Sequence, residues 1–302
     1  MKPLAAPVDK ALILKELSKD IFIKNTNNAN NEIYAFTAQQ CPHLMKELGR
    51  VRELTFRASG GGTGNETDID SYDTSSTPYT QLIVWDPVEK EIIGGYRYVI
   101  CSDALDSMGN YNLATRHLFY FSESFKNDYL PYTIELGRSF VQPKYQATKE
   151  NRTGLYALDN LWDGLGALII QNPEKKYFFG KITMYNHFNR DARNLLLYFM
   201  HKYFPDKEKL VVPIKQEFDF NSFKYLDEIF RNNNFQEDYK ILLQQLKQLN
   251  ENIPPLFNAY MKVSSTMCVF GTSANDTFGP VEETGIFITI NDIIPSKKDR
   301  HL

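Results

Sequence analysis

The stretch Thr133-Ile134-Glu135-Leu136-Gly137-Arg138-Ser139-Phe140-Val141 constrains this chain more than any other. Its β-branched and aromatic residues predict a strand, which Pro143 closes. Strand alternation sets Ile134, Leu136, Arg138 and Phe140 on one face and Glu135, Gly137, Ser139 and Val141 on the other. An arginine in line with three apolar side chains is costly unless a carboxylate pairs with it. A glycine in mid-strand marks a bulge or the close approach of another group. A bulge here turns Glu135 and Arg138 to the same side, and the stretch is predicted to wall an active site.

The remaining composition sets bounds. With 302 residues, 42% of them hydrophobic, the chain can bury a sizeable core. Its net charge of -3 gives no overall pull toward nucleic acid. The 21 Phe and 18 Tyr fit a large core or an apolar substrate tunnel, and composition does not separate the two. Cys41, Cys101 and Cys268 form no CxxC pair, which suggests reduced thiols and a cytoplasmic setting. The N-terminus is too charged for a signal peptide, and no apolar run reaches the ~18 residues of a membrane span. Peripheral contact with the inner membrane stays open. The histidines lack metal-ligand spacing and no G-x-S-x-G elbow occurs, so neither a metal site nor a serine nucleophile is expected.

Taken in order, the periodicities predict a short helix over 9–18, a strand over 33–36 and a helix from Pro42 to about Ala58. Arg52 lies in register with that helix's apolar stripe. The run Ser59–Gly64 lacks the Lys-Ser/Thr and the G-x-G-x-x-G spacing of phosphate loops and is expected to be flexible. Glu66, Asp68, Asp70 and Asp73 lack the EF-hand order of ligands and read as carboxylates for nearby arginines. A hairpin follows over 81–85 and 92–101, with Arg97 in its second strand. Helices are predicted over 113–126, 154–171, 189–204 and 254–263, and strands over 176–183, 266–272 and 285–291. Residues 205–250 read as a helical insertion, and the charged tail 296–302 as frayed. The whole, 1–302, is expected to be one α/β domain with a mixed sheet and helices on its faces.

Arg52, Arg97 and Arg138 each sit in an element that otherwise reads as core, and Asp70, Asp73 and Glu135 lie where they can meet them. A buried ionic network that fixes the fold and an active site both fit this pattern. The order Arg52…Phe56, Asp70-x-x-Asp73, hairpin, Gly94-x-x-Arg97, Glu135-x-x-Arg138 resembles the acyl-homoserine-lactone synthases. It resembles more closely the acyl-carrier-protein-dependent amino-acid N-acyltransferases, the ornithine- and glycine-acylating enzymes of the "hemolysin-like" family. Both are branches of the GNAT acyltransferase fold, and the likeness covers about residues 45–200. The segments Ile253–Tyr260 and Asn275–Gly279 look like the closing part of the ornithine branch, the one associated with ornithine lipids.

The resemblance implies a GNAT-like mixed sheet with splayed central strands and transfer of a fatty acyl chain from a thioester to the amine of a small amino acid. The product would be an N-acyl amino acid or an aminolipid precursor. It implies no permanently bound cofactor, with acyl-ACP or acyl-CoA as co-substrate. Glu135 would then be the base, the backbone near Gly137 would face the thioester carbonyl, and Arg138, Arg97 and Arg52 would hold Asp70, Asp73 and Glu135. One arginine would alternatively bind an acceptor carboxylate. The pyrophosphate loop Gln/Arg-x-x-Gly-x-Gly/Ala is absent, which favours an acyl carrier protein met by Lys144, Lys149, Arg152 and the helix start near Gly154. A CoA-dependent N-acetyltransferase and a non-catalytic acyl- or partner-binding module remain the alternatives.

Overall fold

A computed structural model describes residues 1–106, 108–146 and 156–302. In chain order the helices and strands are α1 (Lys10–Glu16), β1 (Phe22–Asn25), β2 (Glu32–Phe36), α2 (Pro42–Ala58), α3 (Ser71–Thr74), β3 (Thr80–Asp86), β4 (Glu91–Ile100), β5 (Phe119–Phe121) and β6 (Thr133–Val141). There follow α4 (Ala157–Gln171), β7 (Tyr177–Tyr185), α5 (Arg190–Tyr203), β8 (Val211–Pro213), α6 (Phe235–Gln248), α7 (Pro255–Met261), β9 (Cys268–Asn275), β10 (Val281–Thr289) and α8 (Pro295–His301). The fold is α/β. The chain forms two compact units: Met1–Ala114 with Tyr132–Lys176 and Pro295–Leu302, and Thr115–Pro131 with Tyr177–Ile294.

In the first unit β1, β2, β3, β4 and β6 pair in that order, each antiparallel to its neighbour. Helix α2 covers one face. Its stripe Leu44, Met45, Leu48, Val51, Arg52, Thr55 and Phe56 recurs at helical spacing and is buried. Cys41 gives it no side-chain cap; the orphan N–H groups of His43 and Leu44 instead donate to the Glu16 carboxylate at 3.0 and 2.8 Å. Helix α4 takes the opposite face, so close that a Cβ on Gly164 would lie 2.6 Å from Leu82 Cδ2.

The tail is not frayed. Residues 295–301 form α8, and His301 is 4% exposed. Its Nδ1 meets Asp163 Oδ1 at 2.7 Å, while Arg300 pairs with Asp159 at 2.5 Å. Gly166 permits the contact, since a Cβ there would lie 2.0 Å from the His301 carbonyl oxygen. A charged composition hid a docked helix, because Arg300 and His301 pair with Asp159 and Asp163 of α4.

In the second unit β7, β10 and β9 form an antiparallel sheet, and β5 pairs with β8. Helix α5 is capped by Asn189 and buries Ala192, Leu195, Leu196, Phe199 and Met200. The Phe125 ring lies edge-on to Phe179, Phe270 and Phe287 with centroids 5.4, 5.5 and 5.4 Å away, so much of the aromatic content is core. Two local expectations change. Residues 113–126 hold strand β5 and the start of a π-turn over Phe125–Tyr129 rather than a helix. The insertion is not purely helical: 205–250 holds strand β8, a 3-10 segment over Phe220–Glu228 and helix α6. The pairing of β8 with β5 decides this, since strands of three residues leave no periodicity to read.

Candidate active site

Every residue of the site described here belongs to the first unit. On the sheet face toward α2, register places Gln81 opposite Arg97 and Arg97 opposite Gly137, with Val99 opposite Glu135 in the next row. Tyr79, just before β3, reaches the same side through its hydroxyl bond to Glu135. At Gly137 the β4–β6 register breaks: Arg138 and Ser139 together face Tyr96 alone. This is the anticipated bulge, with one refinement. The left-handed residue is Arg138, at φ 51°, not the glycine. The extra residue carries Arg138 to the side of Glu135 and brings Phe140 to that face as well, edge-on to Phe56 of α2 at 6.3 Å. The opposing strand supplies Gly94, where a Cβ would strike the Phe140 carbonyl oxygen at 2.4 Å.

The three arginines and three aspartates form one lattice. Arg52 donates from Nε to Asp68 at 3.0 Å, from Nη1 to Gln81 at 3.0 Å and from Nη2 to Asp73 at 3.3 Å. Arg97 Nη1 reaches Asp70 at 2.7 Å and Asp73 at 3.1 Å. Arg138 Nε lies 2.8 Å from Asp68 Oδ2, and its Nη2 lies 3.5 Å from Asp70. Asp70 caps α3, and Asp73 returns a bond to the Asp70 N–H, so a four-residue turn fixes the spacing of both carboxylates. Burial pushes the carboxyls of Asp68 and Asp73 upward, but the neighbouring guanidiniums outweigh it and hold both below the ordinary carboxylate range. All three arginines are thus engaged by aspartates of this chain.

Glu135 lies beside this lattice and is 1% exposed. Its Oε2 accepts from the Tyr79 hydroxyl and, at 3.3 Å, from the Ala114 N–H. The Ala114 N–H also donates to the Tyr79 oxygen at 2.8 Å. Burial, and then the charge of Glu135, raise the Tyr79 phenol well above its usual value, so the tyrosine stays a donor. The Arg97 guanidinium lies over the Tyr79 ring at 5.1 Å and joins the two groups.

Sequence reasoning missed Tyr79 and Gln81, and it offered Asp68 to nearby arginines without placing it in the site. A signal existed for Gln81, the one polar residue in the buried run Gln81–Trp85. Tyr79 and Asp68 lie outside regular elements, where no period places them. Lys144 is half-exposed and held by Glu89 at 3.2 Å and Glu91 at 2.8 Å. Lys149, Arg152 and Gly154 lie outside the described residues. The Gly60–Gly64 loop is not slack: Thr63 and Gly64 donate their N–H groups to the Glu53 carboxylate at 2.9 and 2.8 Å. The anion this glycine loop cradles is an internal one.

Residues 51–153 match the acetyltransferase (GNAT) domain family, and that span contains the whole lattice and Glu135. The protein is an acyltransferase of GNAT fold. Two curated proteins named glycine N(alpha)-acyltransferase, from Phocaeicola vulgatus and Bacteroides thetaiotaomicron, are each 51% identical over 303 aligned positions. The likeness covers 100% of this chain and 93% and 90% of those relatives. The chain belongs to that glycine N(alpha)-acyltransferase family. A solved CoA-dependent acyl-homoserine lactone synthase, BjaI with SAM and isopentyl-CoA, is similar at 10% identity and a TM-score of 0.39 over 89% of this chain and 86% of that one.

Proposed function

We propose that the protein moves a fatty acyl chain from a thioester to the amino group of glycine. The end-to-end likeness to two proteins named for that reaction carries this reading. An acyl carrier protein is the proposed donor carrier, supported by the absence of a Gln/Arg-x-x-Gly-x-Gly/Ala loop after β6. Lys149 and Arg152 are the cations proposed to meet it; Lys144 is a weaker candidate, given its two glutamates. Both units are read as parts of a single acyltransferase domain. Among the described residues no helix is long and apolar enough to cross a membrane, and peripheral contact with a membrane is proposed only as the place where a lipid product would leave.

Glu135 is the proposed base. An amine attacks a thioester carbonyl only when unprotonated, so a nearby carboxylate must take a proton, directly or through water. Its bonds from Tyr79 and Ala114 hold that carboxylate in one orientation, as the role requires. The arginines are proposed to position the site, with Asp68 taking part of the role the sequence reading gave to Glu135. The test offers long-chain acyl-ACP and acyl-CoA with glycine, ornithine and other small amino acids, and reads amide products by mass spectrometry. N-acylglycine from acyl-ACP supports the proposal. Efficient acylation from CoA alone displaces the carrier assignment, an ornithine product displaces the acceptor, and no amide with any pair sinks the activity.

A further inference from the structure

Strands β5 and β8 form a two-stranded ribbon of their own in the second unit. Its inner face is core. Phe119 and Val211 are buried, and Pro213 lies so close to Gly271 that a Cβ built there would meet its Cγ at 2.7 Å. The outer face differs. Alternation along three-residue strands leaves one outward position on each, Tyr120 and Val212, and register sets the two directly opposite. They are 65% and 45% exposed, and Ile214, two residues beyond Val212, is 38% exposed. An antiparallel ribbon open to water on one side is expected to carry polar residues there. Here both outward positions are aromatic or aliphatic, and Ile214 extends the row.

The turn leading into β8 sorts its charges. In Asp206-Lys207-Glu208-Lys209 both acids are engaged by the protein: Asp206 accepts from the Val211 N–H at 3.2 Å, and Glu208 from the Tyr129 hydroxyl at 3.3 Å. Lys207 and Lys209 are exposed and, among the described residues, form no ion pair. Two further charges beside the ribbon are neutralised, since Lys215 pairs with Asp276 and Glu123 with Lys126, each at 2.7 Å. A small apolar face thus adjoins two uncompensated cations. A specific protein partner takes about 20–30 residues a side, far more than this face offers. A bilayer asks less. Tyrosine settles at the headgroup level, and each lysine near an anionic surface raises the partition roughly fivefold. We propose that the outer face of the β5–β8 ribbon docks on an anionic membrane, with Tyr120, Val212 and Ile214 among the headgroups and Lys207 and Lys209 on the lipid phosphates. This rests on the peripheral membrane contact read above and gives it a place; it uses no step of the acyl transfer. So few contacts make the docking reversible and sensitive to salt.

The test is sedimentation of the full chain, without substrates, with vesicles of phosphatidylglycerol and phosphatidylethanolamine in equal parts or of phosphatidylcholine alone. The wild-type chain should bind the anionic vesicles at least about tenfold more strongly and come off them as salt rises from ~0.05 to ~0.5 M. Lys207→Gln combined with Lys209→Asn should lower that binding roughly thirtyfold. Asparagine suits the left-handed backbone at 209, where φ is 52°, so this variant keeps the turn. Tyr120→Asp should lower binding about tenfold or more with Tm unchanged; if it unfolds the ribbon, the lysine pair still decides. No vesicle binding, equal binding to both lipids, or variants that bind like wild type overturn the assignment. So do two other occupants: a dimer that Tyr120→Asp dissolves, or a KM for acyl-ACP that the variants raise while vesicle binding is absent. N-acylglycine formation in vesicle-free solution is read separately. Amide formed without vesicle binding sinks this inference and keeps the acyl transfer, and vesicle binding with no amide does the reverse.

Discussion

Replacing Glu135 by Gln separates the chemistry of this site from its structure. The substitution keeps the shape and one amide oxygen, which still accepts from the Tyr79 hydroxyl and the Ala114 N–H that now converge on Oε2. What it removes is a charge. Bonds to an ionised acceptor are about twice as strong as neutral ones, so the loss there is about 1–2 kcal/mol, offset in part because an amide is cheaper to bury than a carboxylate. For a chain of this size that corresponds to a Tm change of roughly 2–4 °C. General-base catalysis contributes about 10²–10⁴ in rate, or ~3–5 kcal/mol of barrier. The expected result is therefore kcat/KM for the amine acceptor lower by at least about a hundredfold, with Tm nearly held. Product formation followed by mass spectrometry and unfolding followed by circular dichroism measure the two sides. Turnover within about threefold of wild type refutes Glu135 as the base, and a collapse of Tm by ~10 °C or more assigns the residue to the fold instead.

Other perturbations probe the surroundings. Asp68→Asn leaves Arg52 and Arg138 without the carboxylate they share, so it should destabilise by about 3–5 kcal/mol in urea unfolding, far more than Glu135→Gln. Acid should act on the same lattice: Asp68 and Asp73 are held below their unfolded values, so their stabilisation is complete above about pH 4 and lost as pH falls toward the lower folded values, a loss that Asp73→Asn should blunt. His201 of α5 is half-buried and stacked on Phe218, and desolvation lowers its pKa from 6.5 to about 4. The unfolded chain therefore binds more protons between those values, stability falls as pH drops through that window, and His201→Phe should flatten this part of a Tm–pH curve. Gly166→Ala puts a methyl group 2.0 Å from the His301 carbonyl oxygen and should release α8, read as faster trypsin cleavage at Lys297 and Lys298. Unchanged cleavage would show that α8 shifts rather than leaves.

Much of the architecture was legible because it rests on local rules. Helix α2 followed from Pro42 and an apolar stripe, the β3–β4 hairpin from alternation around Asp86-Pro87, and β6 ended at the residues its composition implied. The bulge, too, was foreseeable, since an arginine and a glutamate split by a glycine cannot both be satisfied by plain alternation. Other features failed for stated reasons. Strand β5 is three residues long, and α8 is charged on the faces that pair with α4, so neither offers a period or a polarity contrast. Asp68 and Tyr79 enter the site from loops, through contacts 70 and 56 residues apart in sequence.

By itself, then, the sequence determined which residue types had to meet: three arginines in apolar elements demanded carboxylates, and a strand with a central glycine demanded a bulge. Only the tertiary structure decided the partners. Asp68 joins Arg52 to Arg138, and the Tyr79 hydroxyl and the Ala114 N–H donate to Glu135. Charge neutrality in a buried place can be met by any nearby carboxylate, so composition sets the requirement. Which carboxylate answers depends on register, on the left-handed turn at Arg138 and on the capping box that fixes Asp70 and Asp73, and these exist only once the strands are paired.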